Sequence, residues 1–464
     1  MSNKYKKLLS DTIVFAIGGI GSKLILFFLV PLYTNYLSTE EYGVADLIFT
    51  VSQVIIPFVS IEIFSAVIRF ALSKTEKKED VLLCSSVVWF LGSIVAVVAA
   101  PLLGLYESLA EWKWHLSVYV ILHILLYIEL NYIKAKDQNR LFAIISIVQT
   151  LTMALFNILF IVVIPLGVRG YVWANIIGNF IAVVGIFVFG KLFKDLKNAK
   201  FSALLLRRML IYSAPLILNN ISWWAIHSAN KIIVEVAMGA AVLGIYTVAT
   251  KIPSLINVMI TIFQQSWGIS SVKEMESSND STFYSNVFNV FAFVSFAASI
   301  GLILIIKPLM SVYVGDSFVE AWKYIPLLLA GATFSAISSY FVSLYSALKK
   351  SVNNMITTLI GAVVNVGLSL LLVYYIGVWG AVVGTFAAYF VMGISRMIDA
   401  TRFVKMKIDI VRFAISSVIL IAEAVLVSLE IHIYLVSAVA ILLFAVTNVK
   451  LLKELFLLLK KKTA

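Results

Sequence analysis

The segment PFVSIEIFSAVIRFAL, Pro57 to Leu72, is apolar almost throughout, yet it carries Glu62 and Arg69 seven residues apart. That spacing returns to one face of a helix. Ionisable groups within an apolar span are costly, so they face a protein interior or a wet cavity and mark the paths of ions and substrates. The same reasoning selects Lys23, Lys231 and Lys251 as cations, and His123, Glu129, Glu235 and Glu423 as groups that could carry a proton or balance a charge. At about 1.5 Å per residue, Lys23 and Glu62 lie roughly 20 and 15 Å from the same side of two adjacent antiparallel helices, a difference that a lysine stem can bridge. Arg69, about one turn from its helix end, either snorkels to the headgroups or stands at a cavity mouth. Lys251 is the strongest deep cation of the second half. Lys231 with Glu235, four apart, and Arg396 with Asp399, three apart, have the spacing of local ion pairs.

A second pattern is neutral. In LNNISWWAIHSANK, the residues Asn219, Trp223, His227 and Asn230 recur at intervals of four, four and three and form one helical stripe. Amide, imidazole and indole groups on a wet face suit a sugar-like ligand, through hydrogen bonds and ring stacking. Interhelical hydrogen-bonded packing is the alternative use of the same stripe.

The elements that must position these residues follow from composition. Hydrophobic residues make up 61% of the 464, charged residues 13%, and the mean hydropathy is +1.01. Soluble domains carry about a quarter of charged residues, so this is an all-α integral membrane protein. Its long continuous apolar runs do not fit a β-barrel, whose segments alternate over about 10 residues. About fourteen spans are expected, at 10–36, 43–72, 80–104, 114–133, 141–165, 169–190, 209–236, 241–267, 284–306, 324–347, 353–376, 379–400, 411–429 and 433–455. The first is expected to stay in the protein, because its apolar core is too long for a signal peptide and no A-x-A-like site follows it.

Alternating these spans across a bilayer places 27 of the 36 Lys and Arg on one side, four on the other and five within spans. The positive-inside rule makes the rich side cytoplasmic and puts both termini there. The net charge of +12 then reflects loops facing anionic membrane lipids, and nucleic acid is not needed as a partner. The one cysteine, Cys84, sits in an apolar span and makes neither a disulfide framework nor a thiolate metal site. No loop is long enough for a soluble catalytic domain.

Internal similarity divides the chain. LGVRGYVWANIIGNF (166–180) aligns without gaps with IGVWGAVVGTFAAYF (376–390), and EYGVADLIFTV (41–51) aligns with VLGIYTVATKI (242–252). Both pairs join corresponding loop-to-helix junctions, so the repeat is six helices, and an even number of spans makes the repeats parallel. The expected domains are an N-terminal six-helix lobe at 1–190, a basic connector at 191–208, a second lobe at 209–402, and two extra helices with a basic tail at 403–464. Two such lobes around a midplane site are an alternating-access transporter design.

The opening DTIVFAIGGIGSKLILFFLVPLYTNYLSTEEYGVADLIFTVSQVI, with GVRGYVWANIIGNF and GVWGAVVGTFAAYF, resembles the Wzx-like polysaccharide (O-antigen) flippases, a branch of the multidrug/oligosaccharidyl-lipid/polysaccharide exporter superfamily. The resemblance covers the whole chain in length, span number and repeat plan. It implies V-shaped lobes around a cationic cavity, and transfer of undecaprenyl-diphosphate-linked oligosaccharide from the inner to the outer leaflet of the bacterial cytoplasmic membrane, for O-antigen or capsule. Lys23, Arg69, Lys251 and Lys231 would then meet the diphosphate, with Glu62, His123, Glu129 and Glu235 as counter-charges or coupling groups. That family often uses arginines where this chain has lysines. The protein would be no enzyme, with no cofactor beyond a coupling H+ or Na+, and a polysaccharide polymerase and chain-length machinery would be its partners. A drug/cation antiporter of the same superfamily is the other reading. A membrane glycosyltransferase or polymerase fits less well, since no D-x-D stands in any basic loop.

Overall fold

The computed structural model describes residues 25, 27–73, 75–277, 281–348 and 350–454. Among them, twelve helices are long and apolar enough to cross a membrane, from Thr39–Ser60 to Ile410–Ser428, and a shorter apolar helix, Ile433–Thr447, follows. Each expected span from the second to the fourteenth has a helical counterpart. The first falls largely outside the described residues; its final part, 27–36, is helical. The contacts divide the chain into two compact units, Met1–Trp224 with Gly239–Gly244, and Ala225–Met238 with Ile245–Ala464.

Within the first unit, the motifs that carry the family resemblance pack the starts of helices. In LSTEEYG, Ser38 caps the Thr39–Ser60 helix: its Oγ accepts from the Glu41 backbone N–H at 3.1 Å, and the Glu41 carboxylate accepts from the Ser38 N–H at 2.9 Å. This reciprocal box satisfies two of the amides that a helix start leaves without partners. Tyr42 and Tyr171 then pack edge-on with centroids 6.5 Å apart, and Tyr33 and Phe49 join them at 4.8 and 5.5 Å from Tyr171. Gly167, which starts the Val168–Phe189 helix with φ +57°, leaves room for Glu41; a Cβ there would come within 2.6 Å of its Oε1. Thus STEEYG and GVRGYVW form one packed junction.

The repeat is written in the backbone as well as in the sequence. Gly167 and Gly377, equivalent by alignment, each precede their helix with nearly the same dihedrals, φ +57°, ψ −133° and φ +60°, ψ −140°. Such angles are open to glycine and strained for other residues. The second aligned pair is in contact within the first unit. A Cβ on Gly43 would overlap the carbonyl oxygen of Ala240, and one on Gly244 would overlap that of Thr39. Each glycine is the fifth residue of its helix and meets the first residue of the other, so the crossing has local two-fold symmetry. Only small residues let two backbones approach so closely.

In the second unit, three helices are tied by one side chain. Arg396, on Val378–Ala400, has no solvent exposure. Its Nε donates to Thr357 Oγ1 at 3.0 Å, Nη1 to Ser338 Oγ at 2.8 Å, and Nη2 to Thr358 Oγ1 at 2.7 Å, with longer bonds to the carbonyls of Ser338 and Asn354. The ion pair with Asp399 expected from the three-residue spacing is not what forms. Asp399 instead accepts from Tyr345 at 2.8 Å and Asn353 at 2.9 Å. The planar guanidinium finds enough hydroxyls and carbonyls on Ile325–Ala347 and Ser351–Ile376 to use its fork of donors without a carboxylate.

Two outcomes are expected in thermal and denaturant unfolding of the purified protein. Gly43→Val and Gly244→Val each cost about 1–3 kcal/mol, the range for overpacking a closed contact. Gly301→Ala, where a Cβ meets nothing within 4 Å, gains about 0.5–1 kcal/mol; equal shifts in all three would contradict the reciprocal contact. Arg396→Ala strands several buried acceptors and costs about 2–4 kcal/mol, and Arg396→Lys falls between it and the parent because an ammonium reaches fewer of them.

Candidate functional site

Three of the residues singled out for chemistry, Glu62, His227 and Lys251, stand at or beside interruptions of spanning helices, a feature that apolar periodicity does not reveal. The second expected span is interrupted at Ile61 and Glu62, both left-handed at φ +50° and +53°. A β-branched residue in that region is strained by about 1–2 kcal/mol. Pro57 precedes the break, and the Glu62 N–H reaches back to the Pro57 carbonyl at 3.2 Å and to Ser60 Oγ at 3.1 Å. The turn directs the Glu62 side chain inward, where it is 2% exposed. Its Oε1 accepts from Ser65 at 3.0 Å, Asn220 and Tyr127 lie close by, and Oε2 has no hydrogen bond among the described residues. Lys23, its expected partner, lies outside the described residues. Arg69 lies in the last turn of the short Ile63–Ala71 helix and is exposed.

The Lys113–Ala135 helix presents the other candidates of this unit. His123 is sandwiched between Tyr119 and Tyr127, at centroid distances of 5.2 and 4.5 Å. Glu129 is buried, and its Oε2 accepts no hydrogen bond among the described residues. Asn131 donates to the Phe64 carbonyl at 3.1 Å and so steadies the segment after the break.

The second interruption divides the seventh expected span at Ser228, between Ala203–His227 and Ala229–Met238. Asn365 donates to the freed carbonyls of Ala225 and Ile226 at 2.8 and 3.3 Å. Asn230, 2% exposed, donates to Asn365 Oδ1, Thr385 Oγ1 and the Ala381 carbonyl at 2.8–3.0 Å. Its amide nitrogen is therefore committed to the protein, while its buried Oδ1 makes no hydrogen bond among the described residues, and the expected stripe divides. Asn219 and Trp223 are half-buried, while His227 is exposed, with Nδ1 2.7 Å from the Tyr389 hydroxyl. Beyond the break, Lys231 is half-buried and Glu235 buried.

The third interruption is at Ile252 and Pro253, between Ala240–Lys251 and Ser254–Ser277. Proline removes a backbone donor and clashes with the preceding turn. Ser254 Oγ donates to the exposed Lys251 carbonyl at 2.5 Å. Lys251, half-buried, is the last residue before the break, where a helix end leaves carbonyls that favour a cation.

Asn365, Thr385 and Tyr389 were missed by reasoning from charge, because each is a neutral residue in an otherwise apolar run. A lone Asn in TTLIGAVVNVGLS was the available signal. Pro253, two residues after Lys251, was the signal for the third break.

The fold is that of known transporters. The structure of the lipid II flippase MurJ in an inward closed conformation superposes with a TM-score of 0.70 at 15% identity, covering 96% of this chain and all of that one. An inward-facing multidrug resistance MATE family transporter of the MOP superfamily gives 0.63 at 14% identity, covering 82% of this chain and 98% of its own. A Vibrio cholerae MATE transporter gives 0.59 at 14% identity, with 86% and 96% covered. No curated protein matches the chain by sequence. A family model described as polysaccharide biosynthesis protein matches residues 34–323, and the chain belongs to that family.

Proposed function

We propose that the protein is an alternating-access flippase that moves undecaprenyl-diphosphate-linked oligosaccharide from the cytoplasmic to the outer leaflet of the bacterial inner membrane, for O-antigen or capsule. The observation that carries this reading is the set of helix breaks in a member of the polysaccharide biosynthesis family, with Glu62, His227 and Lys251 at or beside them. Interrupted helices are tolerated at membrane depth where backbone is buried in protein or lines a cavity, and in transporters they build substrate sites. The similarity to MurJ, which is titled a lipid II flippase, supports a substrate of the same general kind, a sugar headgroup on a lipid diphosphate.

A diphosphate carried through hydrocarbon needs positive charge at every stage, since an unpaired buried charge costs several kcal/mol. In this reading Lys23 and Lys251 meet the phosphates, while Arg69 and Lys231 receive or release them at the ends of the path. Glu62 holds the cations when the substrate is absent, with His123, Glu129 and Glu235 available to couple H+ or Na+. Asn219, Trp223 and His227 contact sugars. Asn230 holds the helix break that presents them. The six-helix lobes 1–190 and 209–402 rock about the site, and both termini face the cytoplasm.

The MATE neighbours favour a second reading, a drug/cation antiporter, and the buried Glu62, Glu129 and Glu235 would suit its cation coupling. Substitution separates the two. Lys23→Ala and Lys251→Ala, at parental protein levels, are expected to accumulate lipid-linked oligosaccharide on the cytoplasmic leaflet and to lower surface polysaccharide about tenfold or more, the effect of losing about 1.4 kcal/mol of stabilisation. Lys251→Arg should retain most transport. Normal surface polysaccharide in both alanine variants, together with drug sensitivity on gene deletion, would overturn the flippase reading in favour of the antiporter.

A further inference from the structure

The hairpin of Ile410–Ser428 and Ile433–Thr447 holds a carboxyl group that the proposed transport path does not use. Glu423 is 1% exposed, and neither of its carboxyl oxygens makes a hydrogen bond among the described residues. It faces the Ser437 hydroxyl across the hairpin. Ser437 has no solvent exposure and likewise makes no hydrogen bond among the described residues. Two buried polar groups thus face each other without a third to satisfy either.

The surroundings decide the charge state. The Glu423 helix packs against Ile433–Thr447, Ile325–Ala347 and Ser281–Tyr313. The only charged residue on those three helices is Lys307, and their other titratable groups are the tyrosines Tyr284, Tyr313, Tyr340, Tyr345 and Tyr434. Lys307 is engaged elsewhere, 3.7 Å from the Glu430 carboxylate and 4.8 Å from the centre of the Trp322 ring. An ionised carboxylate with no cation beside it and a single hydroxyl as its only available donor is a costly arrangement in an apolar interior. The acid form costs far less, and its O–H can donate to the Ser437 oxygen.

The geometry points to Glu423 and Ser437 as a proton-binding site of the C-terminal hairpin, occupied as a carboxylic acid at neutral pH. Glu423 stands five residues from the end of its helix, about 7–8 Å along the axis. The link that follows contains Glu430 and His432 in left-handed conformations, at φ +60° and +38°. Protons would exchange at this end of the hairpin. This inference does not depend on the identity of the transported substrate.

The test is infrared absorption of the full-length protein at neutral pH, comparing the parent with Glu423→Gln. The expected difference is loss of one protonated-carboxyl C=O band that shifts in heavy water; loss of a carboxylate band pair instead would overturn the site. A second measurement needs no variant and decides the matter if Glu423→Gln does not fold. Dicyclohexylcarbodiimide, an apolar reagent, reacts with protonated carboxyls: the acid proton passes to one carbodiimide nitrogen, the carboxyl oxygen bonds the central carbon, and the acyl group then migrates to nitrogen with no atom lost. Peptide mass analysis should find the adduct on Glu423 at pH 7, at a level that falls as pH rises and is indifferent to sodium. An unlabelled Glu423, or labelling abolished by sodium ions, would overturn the proton assignment.

Discussion

Every backbone N–H and C=O within a bilayer must find its partner inside the protein, and in this chain that constraint bears hardest where spanning helices stop short. At Ile61 and Glu62 the Pro57 carbonyl and the Ser60 hydroxyl take up the Glu62 amide. At Ser228 the Asn365 amide reaches across to the carbonyls of Ala225 and Ile226. At Pro253 the Ser254 hydroxyl covers the Lys251 carbonyl. Much of the polar content that looks functional in the sequence therefore serves the backbone first. Asn230 illustrates this, because its amide nitrogen is shared among Asn365, Thr385 and Ala381. The His227 ring, exposed beside the same break, meets the Tyr389 hydroxyl at Nδ1.

The glycines and aromatic residues of the family motifs answer a different need. They allow helix starts to meet: Gly43 and Gly244 by removing a Cβ from a crossing of two backbones, and Gly167 by adopting dihedrals that also clear the Glu41 carboxylate. These motifs mark an architecture and hold little information about cargo. That explains how one fold relates the chain both to a lipid flippase and to drug transporters at 14–15% identity.

Hydrophobic run length was sufficient to read the helices, since a bilayer fixes how long an apolar helix must be. The repeat was legible for a related reason: Gly167 and Gly377 occupy a conformation that few other residues tolerate, so the sequence had little freedom there. Pro253 marks the third break, but the first was not legible. Ile61 is a poor residue for a left-handed turn, and nothing local announces one; the surrounding packing imposes it. Spacing also misled for Arg396 and Asp399. A three-residue interval shows that two side chains are able to meet, but two neighbouring helices offered the guanidinium better-placed oxygens and gave the carboxylate to Tyr345 and Asn353.

Charge in the interior of the second unit is accordingly handled without ion pairing at two places. Arg396 cannot shed its proton at any ordinary pH, so it is solvated by hydroxyl and carbonyl dipoles that satisfy its donors and leave its positive charge uncancelled. Glu423 has the other option open to it. A carboxyl group is able to become neutral, and with Lys307, the cation on the helices around it, engaged by Glu430 and Trp322, neutrality is the cheaper state. The two residues thus have opposite consequences for a charged ligand. The arginine maintains a fixed positive field in a low-dielectric region, where it decays slowly with distance, while the acid adds no opposing field as long as it keeps its proton.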